Sequence, residues 1–170
     1  MAVWQYLLIV VPENSIDSNY QCIFKNNKTE FLPNTNSFWK NFDGDISLII
    51  SELDQIIPKA DWGDDTFICW KGNESSKEDN DASICLSNDK TRIEEFHFRI
   101  DLRKSSNINH VLQSILNICK KNQFILIDIK GNIFKPQLED ILKSMKRSNA
   151  TAFLSNPIKF LENLSKKHFK

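Results

Sequence analysis

Two short apolar runs, far apart in the chain, constrain what it can fold into. Residues 4–11 (WQYLLIVV) and 124–129 (FILIDI) are rich in β-branched and aromatic side chains, and both are too short to span a bilayer. Runs of this kind are typical of strands that are covered on both faces. We therefore predict that both form central strands of a sheet, and that Pro12 ends the first one.

Elsewhere the hydrophobic residues recur with either helical or alternating spacing. Helical spacing predicts four helices, which begin after an N-cap at Asp45, after a cap within residues 105–107, near Pro136 and near Pro157. Alternating spacing predicts an antiparallel meander over residues 66–103. Residues 13–37 show no clear period, and we expect only a weak strand there, at 21–24.

The order of these elements assigns the chain to the α+β class. Its 170 residues are enough for one ordinary domain, and no linker or internal repeat divides them. A helix-length connection between residues 103 and 124 allows a parallel crossover, whereas the meander must be antiparallel. We predict a single domain over residues 1–170, with a mixed, mostly antiparallel sheet and about four helices packed on it.

Charge is unevenly distributed along a chain whose formal net charge is zero. Residues 41–81, the acidic segment, hold eleven Asp or Glu and three Lys, whereas residues 120–170 hold eleven Lys or Arg and four Asp or Glu. Solvated loops and helix faces account for such a distribution, because surface charge keeps proteins soluble. The other interpretation is that the acidic segment steers a basic partner towards the protein.

The sequence lacks the motifs of the common cofactor and metal sites. Its four glycines form neither a dinucleotide loop nor a phosphate-binding loop, and zincin, EF-hand and nucleophile-elbow patterns are also missing. Four cysteines without a CxxC pair fit free thiols better than disulfides or zinc, and they are Cys22, Cys69, Cys85 and Cys119. We expect no cofactor and no metal.

Two further partner classes are not expected. The early apolar run lacks a basic n-region and a cleavage site, so we expect a cytoplasmic protein without a membrane partner. The basic C-terminal helices carry no interleaved aromatic residues and follow no nucleic-acid reader motif. We therefore expect no nucleic-acid partner, while sheet edges and unplaced aromatic residues leave a homodimer open.

The first candidate site is a tryptophan surrounded by carboxylates. Trp62 lies between Asp61 on one side and Asp64 and Asp65 on the other. An exposed aromatic ring among acidic groups is what an interface with an Arg- or Lys-rich protein needs. We predict partner binding at these four residues. A structural tryptophan that fixes the meander is the alternative.

The second candidate site is the polar face of the last meander strand. Alternation places Glu95, His97, Arg99 and Asp101 together on that face. We predict that these residues contribute to partner binding. The same face offers a small enzyme a carboxylate site with His97 as acid or base, if the turn before the first meander strand folds over it. The carboxylates of that site are Asp64, Asp65 and Asp101. Cross-strand charge pairing explains the pattern equally well.

Three stretches carry a resemblance to a known class of proteins. RIDLR (99–103), FILIDIKG (124–131) and SNATAFLSNPIKFL (148–161) resemble small uncharacterised bacterial proteins, and the build is similar to that of immunity proteins of polymorphic or contact-dependent toxin systems. The resemblance covers mainly the C-terminal half and carries no functional residue with it. It implies a non-catalytic protein that neutralises one cognate toxin by covering its active site or a neighbouring surface.

These observations leave three functional hypotheses. The leading one is an immunity- or antitoxin-like module that binds a basic toxin through its acidic surface. The second is a small enzyme of unknown reaction on the polar sheet face. The third is a structural or regulatory subunit without a small ligand.

Overall fold

Six strands form one antiparallel sheet in the computed structural model, which describes residues 2–16, 35–72, 78–103 and 105–168, without the side chains of 105–107 and 164–168. The strands are β1 (Gln5–Pro12), β2 (Phe67–Lys71), β3 (Asp81–Leu86), β4 (Ile93–Asp101), β5 (Phe124–Asp128) and β6 (Ile133–Phe134). Cys22, the weak strand expected at 21–24 and most of the stretch without a period lie outside the described residues.

Strand β1 lies inside the sheet, as its apolar sequence predicts. The strand order is β2-β3-β4-β1-β5-β6, and all eight residues of β1 are buried. Ile9 pairs with His97 of β4 on one side and with Ile127 of β5 on the other. The residues of β5 are buried as well. The meander β2-β3-β4 is also confirmed, with Ser83 of β3 between Cys69 and His97.

Every neighbouring pair of described strands is antiparallel, so no parallel pair forms. Strands β4 and β5 nevertheless run in the same direction, because each is antiparallel to β1, which lies between them. The helix between β4 and β5 therefore makes the expected crossover, but over β1 instead of to an adjacent strand. The α+β class is confirmed.

The described residues form five α-helices, one more than predicted. They are α1 (Ile46–Asp54), α2 (Ser105–Lys121), α3 (Leu138–Lys146), α4 (Asn149–Ser155) and α5 (Pro157–His168). The additional helix, α4, has only seven residues and is too short for a recognisable apolar stripe. Its start is fixed by Ser148, whose hydroxyl accepts a hydrogen bond from the Thr151 N–H at 3.2 Å. No described helix is both long and apolar enough to cross a membrane.

One face of the sheet packs against helices and forms the main core. Phe96, Phe98 and Ile100 of β4 are fully buried in the same cluster as Ile49 and Leu112. A hydrogen bond joins α1 to the meander, because the buried indole of Trp70 donates to Asp54 Oδ1 at 2.7 Å. This face accounts for the helical stripes that the sequence shows.

The opposite face of the sheet is apolar towards one edge and polar towards the other. At the β1–β5 side it carries buried aliphatic residues, among them Leu7, Ile9 and Ile125. Across β2, β3 and β4 it carries the small and polar residues that alternate with the core residues. The polar part of this face, together with the loop before β2, contains the candidate sites.

The N-cap of α1 gives a direct test of the helix assignment. Asp45 Oδ1 accepts a hydrogen bond from the Leu48 N–H at 3.1 Å, as the sequence predicts. We expect Asp45→Ala to lower the free energy of unfolding by about 1 kcal/mol, because an N-cap acceptor is lost. Asp43→Ala, at an exposed position just before the helix, is the matched control and should stay within about 0.5 kcal/mol of the parent. Urea unfolding measures both, and equal losses would contradict the assignment.

Candidate functional site

The chain before β2 runs alongside that strand and is bonded to it. The Lys71 N–H donates to the Pro58 carbonyl at 2.9 Å, and the Ala60 N–H donates to the Cys69 carbonyl at 2.8 Å. Lys59 forms an isolated antiparallel bridge with Trp70. Residues 58–60 therefore pair with part of the outer edge of the sheet. This pairing fixes the position of the residues that follow.

A tight turn around Asp64 connects this segment to β2. Asp64 Oδ1 accepts hydrogen bonds from the Thr66 N–H at 2.7 Å, the Thr66 hydroxyl at 2.8 Å and the Phe67 N–H at 2.8 Å. The bonds from Thr66 and Phe67 lower the pKa of Asp64, so it stays ionised. Gly63 has φ +109°, and a Cβ there would lie 2.4 Å from the Phe67 carbonyl oxygen. Only glycine fits that position without strain.

Trp62 projects from this fixed turn. Its side chain is 54% exposed, and Phe67 at the start of β2 is 40% exposed. Burial raises the pKa of the Cys69 thiol, and a hydrogen bond from the Trp62 side chain opposes that effect. One side of the ring therefore lies near the Cys69 thiol, and the rest is open to solvent. We call residues 61–67 the Trp62 edge.

The carboxylates around Trp62 differ in their structural roles. Asp61 and Asp65 are exposed, and Asp65 Oδ2 pairs with Lys90 Nζ at 2.7 Å. The hydrogen bond from Lys90 lowers the pKa of Asp65. This ion pair is open to solvent, and exposed pairs contribute little to stability. Because Asp64 holds the turn together, a partner can pair with Asp61 and Asp65 without breaking the hydrogen bonds of that turn.

His97 lies on the polar sheet face beside a buried serine. Its Nε2 is 2.9 Å from the Ser83 hydroxyl oxygen. Burial and the nearby Arg99 guanidinium lower the pKa of His97, Asp81 opposes both, and the net pKa is about 4. The imidazole is therefore neutral at pH 7. Because Ser83 also pairs in register with Cys69, which interacts with Trp62, this face is continuous with the Trp62 edge.

Asp81 forms the centre of an ion-pair group next to His97. It is 6% exposed, and its Oδ1 accepts from Arg99 Nε at 2.5 Å. Its Oδ2 accepts from Gln5 Nε2 at 2.9 Å and lies 3.7 Å from Lys71 Nζ. Lys71 also forms an ion pair with Asp79. Gln5 thus links β1 to charges that belong to the meander.

Asp101 is paired through both oxygens. Arg103 donates from Nε to Oδ1 at 2.9 Å and from Nη2 to Oδ2 at 2.7 Å, and the Asp79 N–H donates to Oδ2 at 3.0 Å. Burial raises the pKa of Asp101, but these hydrogen bonds outweigh it, and the net pKa lies below the usual value. The guanidinium of Arg103 also stacks over Trp4, 4.5 Å from the ring centroid. Asp79, Asp81 and Asp101 together form the carboxylate network.

The network shows which of the predicted site residues come together. Arg99 and Asp101 belong to it, and His97 adjoins it. Glu95 lies further along β4, where it pairs in register with Cys85. Burial and the Glu95 carboxylate together raise the pKa of Cys85 to about 11. The Asp64 carboxylate accepts its hydrogen bonds from Thr66 and Phe67 of its own turn, and the charged groups that act on His97 are Arg99 and Asp81.

Sequence analysis missed the residues that complete the network. They come from segments far apart in the chain and are Trp4, Gln5, Lys71, Asp79 and Asp81. Two signals pointed to them: a glutamine inside an otherwise apolar run, and an aspartate in register with the polar face of β4.

The negative charges of the carboxylate network are already balanced by cations and N–H groups of the chain. Each of its three carboxylates accepts hydrogen bonds or ion pairs from cations and N–H groups of the chain itself. The described residues hold no group of three or more His, Cys, Asp or Glu side chains placed to bind a metal ion. The arrangement is suited to fixing β1, β3 and β4 and the residues before β3 relative to one another.

The low pKa of His97 makes stability depend on pH. An unfolded histidine takes up a proton below about pH 6.5, whereas the folded one does so only near pH 4, so stability falls as the pH is lowered through this window. The loss at pH 4 amounts to at most about 3 kcal/mol. We expect His97→Gln to flatten the dependence of the unfolding free energy on pH between pH 6.5 and 4. His110→Gln, on an exposed face of α2, should keep it. An unchanged slope in His97→Gln would refute the assignment.

No protein-family model, curated protein or solved structure matches the chain significantly. What the protein does must therefore follow from the geometry and chemistry of its own residues.

Proposed function

We propose that this protein is a non-catalytic binding module that holds a basic protein partner at the Trp62 edge. One observation carries the proposal: a large aromatic side chain is 54% exposed although its backbone is fixed by the Asp64 turn and by pairing with β2. Aromatic anchors that are rigid before binding lose little conformational entropy on association. Tryptophan is also among the residues that most often dominate binding energy.

The charges beside Trp62 support a basic partner. Asp61 and Asp65 are exposed, and Asp64 is kept ionised by its turn. An arginine or lysine of the partner can stack on the indole while it pairs with a neighbouring carboxylate. The exposed Asp65–Lys90 pair can exchange Lys90 for a partner cation at little cost, because such pairs are weak.

The partner class follows from the resemblance to immunity proteins. In this proposal the chain is a cytoplasmic bacterial immunity- or antitoxin-like protein that covers the active site of a basic toxin or a surface next to it. A small α+β domain without a cofactor is suited to that task, since inhibition by occlusion needs only a complementary surface. A structural or regulatory subunit would use the same edge for a different partner.

The enzyme hypothesis receives less support from the geometry. A general acid or base must be free to exchange a proton with a substrate. Asp101 is held by Arg103 and by backbone N–H groups, and Asp81 is held by Arg99. His97 is hydrogen-bonded to Ser83, and Asp64 is bonded within its own turn. Partner binding at the Trp62 edge requires none of these contacts to break.

Truncation of the anchor tests the proposal. The partner is first captured with the tagged protein from lysate of the native organism, identified by mass spectrometry and purified. We expect Trp62→Ala to weaken its binding about thirtyfold, as for a hot-spot residue. Ile129→Ala is the matched control, because Ile129 is 53% exposed and lies beyond β5. A partner that binds both variants as tightly as the parent would exclude the Trp62 edge.

Charge reversal tests the electrostatic part separately. We expect Asp61→Lys combined with Asp65→Lys to slow association and to flatten its dependence on salt, because both charges are exposed. Asp64 is left intact, since its loss would unmake the turn. Asp43→Lys combined with Glu139→Lys, at two exposed positions outside the Trp62 edge, makes the same change of net charge and is the control. Stopped-flow or surface-plasmon kinetics measure the rates, and equal slowing in the control would leave only a general charge effect.

A further inference from the structure

We propose that the groove between β6 and α3 is a binding site for a small organic anion, a molecule with a phosphate or carboxylate group on an apolar body. The groove has a volume of about 370 Å³. That volume lies within the range of small-molecule sites. Its lining combines apolar and cationic side chains, which are Ile133, Phe134, Lys135, Lys143 and Arg147, with Asp140 as the acidic member.

The walls of the groove are fixed by contacts on their inner sides. Strand β6 pairs with β5, with Phe134 opposite Leu126. Helix α3 buries Ile141 and Met145, and its Ser144 accepts a hydrogen bond from the Tyr6 hydroxyl at 2.7 Å. A site that is formed before its ligand arrives avoids much of the entropy cost of binding.

The three cations of the groove are only loosely engaged. Lys143 Nζ lies 3.4 Å from Asp140 Oδ1, and Lys135 Nζ lies 3.4 Å from a Glu13 oxygen. Both distances exceed the 2.7–2.9 Å that is typical of a strong charged hydrogen bond. Arg147 donates from Nε to the Lys143 carbonyl at 3.3 Å and has no carboxylate partner within the ranges that the structure covers. Three positively charged donors that line the same groove are therefore only weakly paired within the chain.

The apolar side chains of the groove favour a ligand that is larger than a bare inorganic ion. Ile133 is 42% exposed, and Phe134 is partly buried against the core. Apolar contacts beside a cluster of cations favour a ligand that has an anionic group at one end and an aliphatic or aromatic body at the other. Arginine and lysine both bind phosphate and carboxylate groups, and arginine can do so with two parallel hydrogen bonds.

This site is separate from the Trp62 edge. The groove lies at β6, and the Trp62 edge adjoins β2, which is at the other end of the strand order. Five strand spacings of about 4.8 Å put the two strands roughly 24 Å apart. Binding in the groove therefore succeeds or fails independently of the proposed protein partner.

Titration of the whole ¹⁵N-labelled chain with phenyl phosphate tests the site. We expect saturable shifts of backbone amide signals at residues 133–135 and 138–147. Benzoate in a parallel titration distinguishes a phosphate from a carboxylate preference, and binding of either supports the proposal. Phenol lacks the charge and inorganic phosphate lacks the ring, so both should bind at least tenfold more weakly than the better of the two anions.

Variants connect the signal to the groove. We expect Arg147→Gln to weaken binding of the preferred probe about tenfold, as for the loss of a hydrogen bond from a charged group. Lys120→Gln removes an exposed cation of α2 outside the groove and should leave binding unchanged. The spectrum of each variant shows whether it is folded. Absence of saturable shifts with both anions, equal binding of phenol, or equal weakening by the two variants would overturn the proposal.

Discussion

The pairing of β1 on both sides is the interaction on which the rest of the structure depends. Strand β1 joins the meander to the C-terminal strands, since it bonds to β4 along one edge and to β5 along the other. All of its residues are buried, so their apolar area stabilises both faces of the sheet at once. Within the sheet, β4 and β1 lie between β2, which belongs to the acidic segment, and β5 and β6, which belong to the basic C-terminal part. Outside the sheet the two parts meet, since Lys121 pairs with Glu52 of α1.

The sequence predicted those helices and strands whose formation depends on residues within one segment. The apolar run of β1, the alternation of β4 and the cap at Asp45 all follow from the spacing of residues within one segment. The strand order and the carboxylate network did not follow, because they depend on which distant segments meet. Gln5 and Asp81, for example, are 76 residues apart and in contact. The short helix α4 was missed because seven residues are too few for a periodic signal.

The carboxylate network explains why charged residues occur on a buried part of the sheet. Removing carboxylates from water is costly unless cations and N–H donors replace the lost hydration, and Arg99 and Arg103 do so here. Such a network also restricts the register of the strands. A one-residue slip of β3 against β4 would turn Asp81 towards the apolar core and leave Arg99 without its partner. The network thus contributes specificity of pairing as well as hydrogen bonds.

Pairing, more than charge count, decides which acidic residues are open to a partner. The acidic segment has a large negative charge in the sequence, yet much of it has an internal role: Asp45 caps α1, Asp54 accepts from Trp70, Asp64 forms a turn, and Asp79 and Asp81 join the carboxylate network. Among the described carboxylates of the segment, Asp61 and Asp65 are exposed on either side of Trp62, and Asp43 is exposed before α1. An electrostatic surface inferred from composition alone would therefore be too large. Two exposed carboxylates beside one aromatic ring suit a local anchor better than a general attraction for basic molecules.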